Sequence, residues 1–150
     1  MVIRAIFAFL HFAMVFGIVA TLFLQWQTIS RKPTLAEAKR IQRCDRWYGM
    51  CAAGVLIIGF LRVFYFEKGQ AFYFANPFFH TKLTLFVLIG LLSIYPTIRF
   101  LKWRAPVAQG VPPTLDEKEY TLIVMALRAE LILLLGMALC ASLMARGVVV

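Results

Sequence analysis

The chain has 150 residues, of which 62% are hydrophobic and 15% are charged, and its formal net charge is +9. Soluble domains are about 45–50% apolar and about 25% charged, so this composition excludes an ordinary soluble globular domain. The basic residues cluster beside long apolar runs. In that position they indicate membrane topology and contact with anionic lipid headgroups, and we expect no nucleic-acid partner.

Four long apolar stretches occupy most of the chain, at residues 5–24, 47–64, 78–98 and 120–144. Each is close to the roughly 20 residues that a helix needs to cross a bilayer. The first is too long for the apolar part of a signal peptide, which has about 7–15 residues, so we expect it to be retained. The sequence therefore predicts an all-α fold: an integral membrane four-helix transmembrane bundle, with residues 1–150 forming a single polytopic membrane domain.

The segment between the first two stretches is polar and basic, and it contains a helix-start signal. Thr34 can cap a helix, and Glu37 stands three residues later, as in a capping box. Leu35, Ala38 and Ile41 then fall near one face. Two interpretations stay open for residues 34–46: a short amphipathic helix on the membrane surface, or a solvated connector.

Prolines mark the boundaries of the later elements. Pro77 suits the first turn of the third span, and Pro96 is expected to kink or end it. The proline-rich loop 105–116 is expected to lack regular structure. Thr114, with Glu117 three residues later, is expected to cap the last helix.

Small residues four positions apart occur in three of the spans. This spacing is typical of close helix packing in membranes, and plain bundle packing is the expected role of these pairs. The pairs are Ala13 with Gly17, Gly49 with Ala53, and Gly136 with Cys140.

Basic residues are divided unevenly between the two ends of the predicted spans. In bacterial membrane proteins the short loops that are richer in Lys and Arg face the cytoplasm. We therefore expect a multi-pass membrane protein with both termini outside the cytoplasm. The residues that predict the cytoplasmic side are Arg31, Lys32, Lys39, Arg40, Arg43, Arg46, Arg99, Lys102, Arg104 and Lys118.

The only two histidines lie in or at the edge of predicted spans, His11 in the first and His80 at the start of the third. Imidazole is the commonest protein ligand for metals and haem iron. A lone histidine in a membrane is often only a hydrogen bond between helices. Because these two lie at comparable predicted depth, a second interpretation also stays open, in which both imidazoles ligate one haem iron between them. Met14 could replace one axial ligand.

Charged residues are also predicted at membrane depth. A charge at the centre of a span costs about 2.5–3.5 kcal/mol on insertion scales, which makes Glu130 and Arg128 candidates for function. They are two residues apart and should point to opposite faces. We expect Glu130 to meet Arg62, Lys82 or a histidine across the bundle. Arg128 is expected to meet a cofactor carboxylate or to snorkel, and structural ion pairs are the alternative for Arg62 and Lys82.

The order of polar residues along the spans resembles a known family. Leu10–His11, residues 79–83 (FHTKL) and Glu130 are together similar to the HemJ-type protoporphyrinogen IX oxidases. That resemblance implies a small four-helix protein of the bacterial inner (plasma) membrane that carries b-type haem and oxidises protoporphyrinogen IX. In such a membrane the predicted orientation makes both termini periplasmic. Ala126 and Ile132 stand where that family usually has arginine and proline. We therefore expect the haem-binding frame, rather than the porphyrinogen chemistry, to carry over.

Two further runs, residues 59–65 (GFLRVFY) and 76–77 (NP), resemble more closely a related family of uncharacterised bacterial four-helix membrane proteins. The expected function is a haem b-binding inner-membrane redox protein, acting in electron transfer or as a haem-dependent oxidoreductase. Lys82, Arg62 and Arg128 would pair with haem propionates or substrate carboxylates. Glu130, which would move protons, and Lys82 are the catalytic candidates.

Two other classes of function stay open. The chain could be a non-catalytic membrane subunit or assembly factor, or it could form a proton or small-ion path through the same polar residues. Expected partners are membrane lipid, a porphyrin or quinone-like small molecule, and further copies of the chain or a larger membrane complex.

Overall fold

The computed structural model describes residues 2–66 and 77–146. Within these residues every regular element is helical, and four helical segments are long and apolar enough to cross a membrane. The all-α, four-span prediction is confirmed. The elements are α1 (Val2–Thr28), α2 (Leu35–Leu61), a π-helical turn (Arg62–Phe66), α3 (Pro77–Lys102), α4 (Arg104–Ala108) and α5 (Glu117–Ala145).

The long helices pack as two antiparallel pairs, α1 with α2 and α3 with α5. The connectors 29–34 and 103–116 meet at one end of the bundle, which we call the connector end. There the backbone N–H of Leu115 donates to the carbonyl of Arg31 at 2.9 Å. Arg31 also pairs with Glu117 at 2.8 Å. Helices α2 and α3 touch only sparsely along their length, which leaves a groove between them.

Helix α2 begins well before the predicted span. The Thr34 side chain accepts from the Glu37 backbone N–H, and the Glu37 carboxylate accepts from that of Thr34, so the capping box is confirmed. The helix then runs unbroken to Leu61. Both interpretations of residues 34–46, a separate surface helix and a solvated connector, were therefore wrong. No glycine or proline interrupts residues 35–46, and Ala38 and Ile41 are fully buried in the core.

Pro96 does not end α3, and a short helix, α4, forms in the proline-containing segment that follows. A kink at Pro96 stays a prediction. Pro77 opens α3 as expected, but Pro96 lies inside a helix that continues to Lys102. Pro96 is buried, and burial of Phe100 in the turn beyond it holds the helix together. The start of the supposedly irregular loop forms α4. Pro106 is tolerated there because the N–H groups of a first turn lack helical partners anyway.

The cap of α5 differs from the predicted one. Asp116, rather than Thr114, is the N-cap, and its carboxylate accepts from the Glu119 backbone N–H at 2.6 Å. Asp116 and Glu119 have the same three-residue spacing as Thr114 and Glu117. The signal was therefore duplicated two residues further along, and aspartate caps as well as threonine does.

The predicted small-residue packing is present in one pair and absent in another. A Cβ built on Gly17 would lie 2.6 Å from Sγ of Cys51, so α1 and α2 approach closely at this point. A Cβ built on Gly49 would meet nothing within 4 Å, so Gly49 does not mediate a helix contact. It lines the groove between α2 and α3 instead.

The tightest packing lies towards the connector end, and the outer surface is apolar. Large hydrophobic side chains such as Phe9, Phe16 and Leu135 are exposed, as expected of a surface that faces lipid. The most deeply buried hydrophobic side chains include Leu22, Ala38, Ile41, Phe100, Ile123 and Leu127.

Candidate functional site

A small cavity surrounds His11, which lies on the inward face of α1 and is 8% exposed. The cavity has a volume of about 80 Å³, and the π-helical turn and all four long helices contribute to its wall. Lys82 of α3 is the other ionisable side chain among the described residues that line it, and the rest of the wall is apolar. The structure thus brings together two of the predicted site residues, His11 and Lys82.

A glycine on α2 makes room for the imidazole. A Cβ built on Gly59 would lie 3.3 Å from Cε1 of His11, which is tighter than an ordinary van der Waals contact. Gly59 belongs to the run 59–65 that resembles the related family. Its contact with His11 gives this residue of the run a physical role. The absence of a side chain allows the His11 ring to lie directly against the α2 backbone.

His80 occupies a different face of α3. Phe79 is buried and lines the His11 cavity, whereas His80, one residue later and about 100° around the helix, is exposed. The His80 ring makes an edge contact with that of Phe79, with centroids 5.8 Å apart. Among the described residues His80 does not line the His11 cavity, and ligation of one iron by both imidazoles stays a prediction.

The two predicted arginines lie in different surroundings. Arg62 is half-buried in the π-helical turn, beside Val63 of the cavity wall. Arg128 is exposed, and its guanidinium lies over the ring of Trp26, 5.4 Å from the centroid. Arg128 and Glu130 face opposite directions, as their spacing predicts.

Glu130 is fully buried, and its partner is one that the sequence analysis did not identify. The Tyr48 hydroxyl donates to Oε2 of Glu130 at 2.9 Å, whereas Arg62, Lys82 or a histidine was expected. Each of these residues stands 13 positions after the first residue of its helix, and both helices start at the connector end. Equal depth, about 20 Å along each helix, is what lets them meet.

A second, larger cavity lies in the groove between α2 and α3, with a volume of about 370 Å³. Its polar residues are Asp45 and Tyr48 on α2, and Ser93 and Thr97 on α3. The Thr97 hydroxyl donates to Oδ1 of Asp45 at 2.8 Å. Asp45 and Tyr48 are three residues apart, and Ser93 and Thr97 are four apart, so each pair lies on one helical face. This pattern in the sequence could have predicted the site.

The two cavities are neighbours, since Leu56 and Phe86 line both. The ionisable side chains of His11 and Lys82 therefore lie in the cavity next to the one that contains the hydroxyl and carboxyl groups near Asp45. In the part of the chain that the structure describes, no group of three or more His, Cys, Asp or Glu side chains is placed to hold a metal ion.

Comparison with known proteins identifies a family. The family model described as "Predicted membrane protein (DUF2214)" matches residues 3–149. No curated protein and no solved structure matches the chain. Because the family model covers nearly the whole chain, the protein belongs to the DUF2214 family of predicted membrane proteins.

Proposed function

We propose that this protein is a haem b-binding redox protein of the bacterial inner membrane, with His11 as an axial ligand of the iron. The observation that supports the proposal is a buried imidazole lining the same intramembrane cavity as Lys82. The resemblance of residues 79–83 to the HemJ-type oxidases supports it independently.

The side chains at the cavity are chemically suited to bind haem. A neutral imidazole is the commonest axial ligand of haem iron, and His11 has an apolar surround that would exclude water. The ammonium of Lys82 can pair with a propionate carboxylate by a charge-assisted hydrogen bond. Arg62, half-buried at the same end of the bundle, is a second propionate partner.

The cavity at His11, about 80 Å³, is smaller than the roughly 300–1,000 Å³ of typical small-molecule sites. A flat ligand held there would have to extend towards lipid. The wall is open on that side, because Leu56, Phe60 and Leu83 line the cavity and are exposed on the lipid-facing surface.

Haem b would supply a one-electron couple at its iron. The chain itself would bind the iron at His11, orient the propionates with Lys82, and keep the site dry with Phe79, Phe86 and Met137. Glu130 lies outside the cavity lining, so its role in this proposal is to hold a proton near the centre of the bundle, in contact with Tyr48.

The test is an absorption spectrum of the purified protein from haem-replete cells, dithionite-reduced minus air-oxidised. We expect b-haem bands, unchanged in Lys82→Arg and weakened in Lys82→Ala, since arginine also pairs with propionate. A colourless protein contradicts the proposal. His80→Ala tests whether His80 reaches the iron as the second ligand, as first predicted.

A second candidate function is a proton path, and one observation favours it. Glu130 is fully buried near the middle of α5, and its Oε1 has no hydrogen-bond partner among the described residues. Ionisable residues at this depth commonly mark proton relays. Proton flux in proteoliposomes, abolished by Glu130→Gln and retained in Glu117→Gln, would support this function. Glu117 is the matched control because it is exposed at the start of α5.

A further inference from the structure

We infer that the larger cavity between α2 and α3 binds a neutral, lipid-soluble aromatic molecule that bears hydroxyl groups, of the quinol class. The cavity volume of about 370 Å³ falls within the roughly 300–1,000 Å³ of small-molecule sites. This inference goes beyond the haem proposal and does not need it. The described residues that line this cavity include neither His11 nor Lys82.

The open side of the cavity faces the bilayer. Gly49, Ala53 and Leu56 on α2 and Gly90 on α3 line it and are exposed. A Cβ built on either glycine would meet nothing within 4 Å, so the space beside both backbones is open. A ligand would enter sideways between two membrane-spanning helices, and this route selects molecules that dissolve in lipid.

The polar end of the cavity accepts hydrogen bonds rather than binding anions. The described residues that line it include no Lys or Arg, so nothing there would neutralise a phosphate or a fatty-acid carboxylate. Oδ1 of Asp45 already accepts from Thr97. A carboxylate can accept further hydrogen bonds through its remaining lone pairs.

Tyr48 adds a second acceptor at the same end. Its hydroxyl proton is engaged by Glu130, and the Ser93 hydroxyl also lies within hydrogen-bonding reach of the phenolic oxygen, which keeps one lone pair to accept from a ligand. A ligand that donates hydrogen bonds matches this end, whereas a quinone, whose head has only acceptors, does not. The hydroxyl group of the ligand is therefore the recognised feature.

The other end of the cavity is apolar, lined by Ile18, Phe86, Ile89 and Leu134. A molecule with a hydroxylated ring and a hydrocarbon tail would place the ring at Asp45 and Tyr48 and the tail towards Phe86 and the lipid. Hydroxyl groups at one end and hydrocarbon at the other are the arrangement of a membrane quinol.

The experiment measures the melting temperature of the purified chain in detergent with decylubiquinol, kept anaerobic, or with decylubiquinone. A ligand that binds only the folded state raises Tm, so we expect decylubiquinol to raise it by about 5 °C near saturation. Decylubiquinone is expected to raise it by less than half as much. No shift with decylubiquinol, or an equal shift with the quinone, overturns the inference.

Variants of the cavity wall distinguish binding in this cavity from non-specific partitioning of the ligand into detergent. Gly90→Leu fills the open space with a better helix former, so the ligand-free Tm should not fall and the quinol shift should disappear. Gly49→Leu fills it from α2 and provides the same test if the first variant misfolds. Ala138→Leu, on an exposed part of α5, should keep the full shift. A full shift in both filled variants also overturns the inference.

Discussion

The Tyr48 hydroxyl and Oε2 of Glu130 lie 2.9 Å apart and link α2 to α5 inside the bundle. Glu130 is fully buried and Tyr48 is 6% exposed, so the pair lies away from the outer surface of the bundle. A buried carboxyl group without a hydrogen bond is costly, and in the described structure Tyr48 supplies the hydrogen bond that Glu130 makes. The pair therefore joins the α1–α2 helix pair to the α3–α5 helix pair and sets their relative depth.

Removal of the tyrosine hydroxyl should destabilise the fold. Tyr48→Phe leaves the buried carboxyl group without its hydrogen bond, so we expect a loss of about 1–3 kcal/mol in the free energy of unfolding. Chemical denaturation in detergent measures it. Tyr95→Phe, at an exposed position of α3, is the matched control and should change little. Equal stability of the two variants would show that the hydrogen bond contributes nothing.

The close contact between Gly17 and Cys51 predicts a destabilised single variant and its rescue. In Gly17→Ala the new Cβ would lie 2.6 Å from Sγ of Cys51, so we expect a loss of about 1–3 kcal/mol through overpacking. Cys51→Ala removes that sulfur and leaves the nearest side-chain atom, its Cβ, at 3.6 Å, an ordinary contact. Thermal unfolding should show the double variant to be more stable than Gly17→Ala. If the losses of stability in Gly17→Ala and Cys51→Ala simply add in the double variant, the predicted contact between these two residues is contradicted.

The cap of α5 can be assigned by two matched substitutions. Asp116→Ala should cost about 1 kcal/mol, since it removes the side chain that accepts from the Glu119 N–H. Thr114→Ala should cost less than half of that, because Thr114 is exposed and is not the N-cap. Thermal unfolding of both variants measures the difference, and the reverse order would restore the cap expected from the sequence.

Gly59 should control haem binding through His11. Gly59→Ala would place a Cβ 3.3 Å from Cε1 of the imidazole and displace the ring. Under the haem proposal we expect a severalfold lower haem content with little change in Tm. Gly90→Ala, where the Cβ meets open space, should keep the wild-type haem content. A Gly59→Ala protein with normal haem content and spectrum would mean that the position of His11 does not matter.

The sequence predicted the four spans because long apolar runs are a strong signal, but it misplaced their ends. The predicted second span began at residue 47, which put Tyr48 at the membrane interface. Capping at Thr34 moves the start of the helix to Leu35 and puts Tyr48 about 20 Å along it, level with Glu130. Prediction of Tyr48 as the partner of Glu130 therefore required the correct start of α2, and composition defines helix boundaries poorly.

The candidate site was predictable to the extent that it follows from ionisable residues in apolar surroundings. His11 and Lys82 were both identified in this way, and the structure places them on one cavity. The rotation of His80 away from it depends on how α3 packs against α5, which a single sequence does not reveal. The larger cavity was missed because small residues such as Gly49 and Gly90 form its open side, and the spacing of small residues predicts close helix packing rather than open space.

The most direct test of the haem proposal is the haem-to-protein ratio of the purified wild-type chain and of His11→Ala, measured by pyridine haemochrome assay on samples with matching Tm. The proposal predicts about one haem per wild-type chain and a nearly haem-free His11→Ala protein, since loss of an axial ligand removes the main anchor of the iron. A wild-type chain without haem, or a His11→Ala protein that keeps all of it, would contradict the proposal.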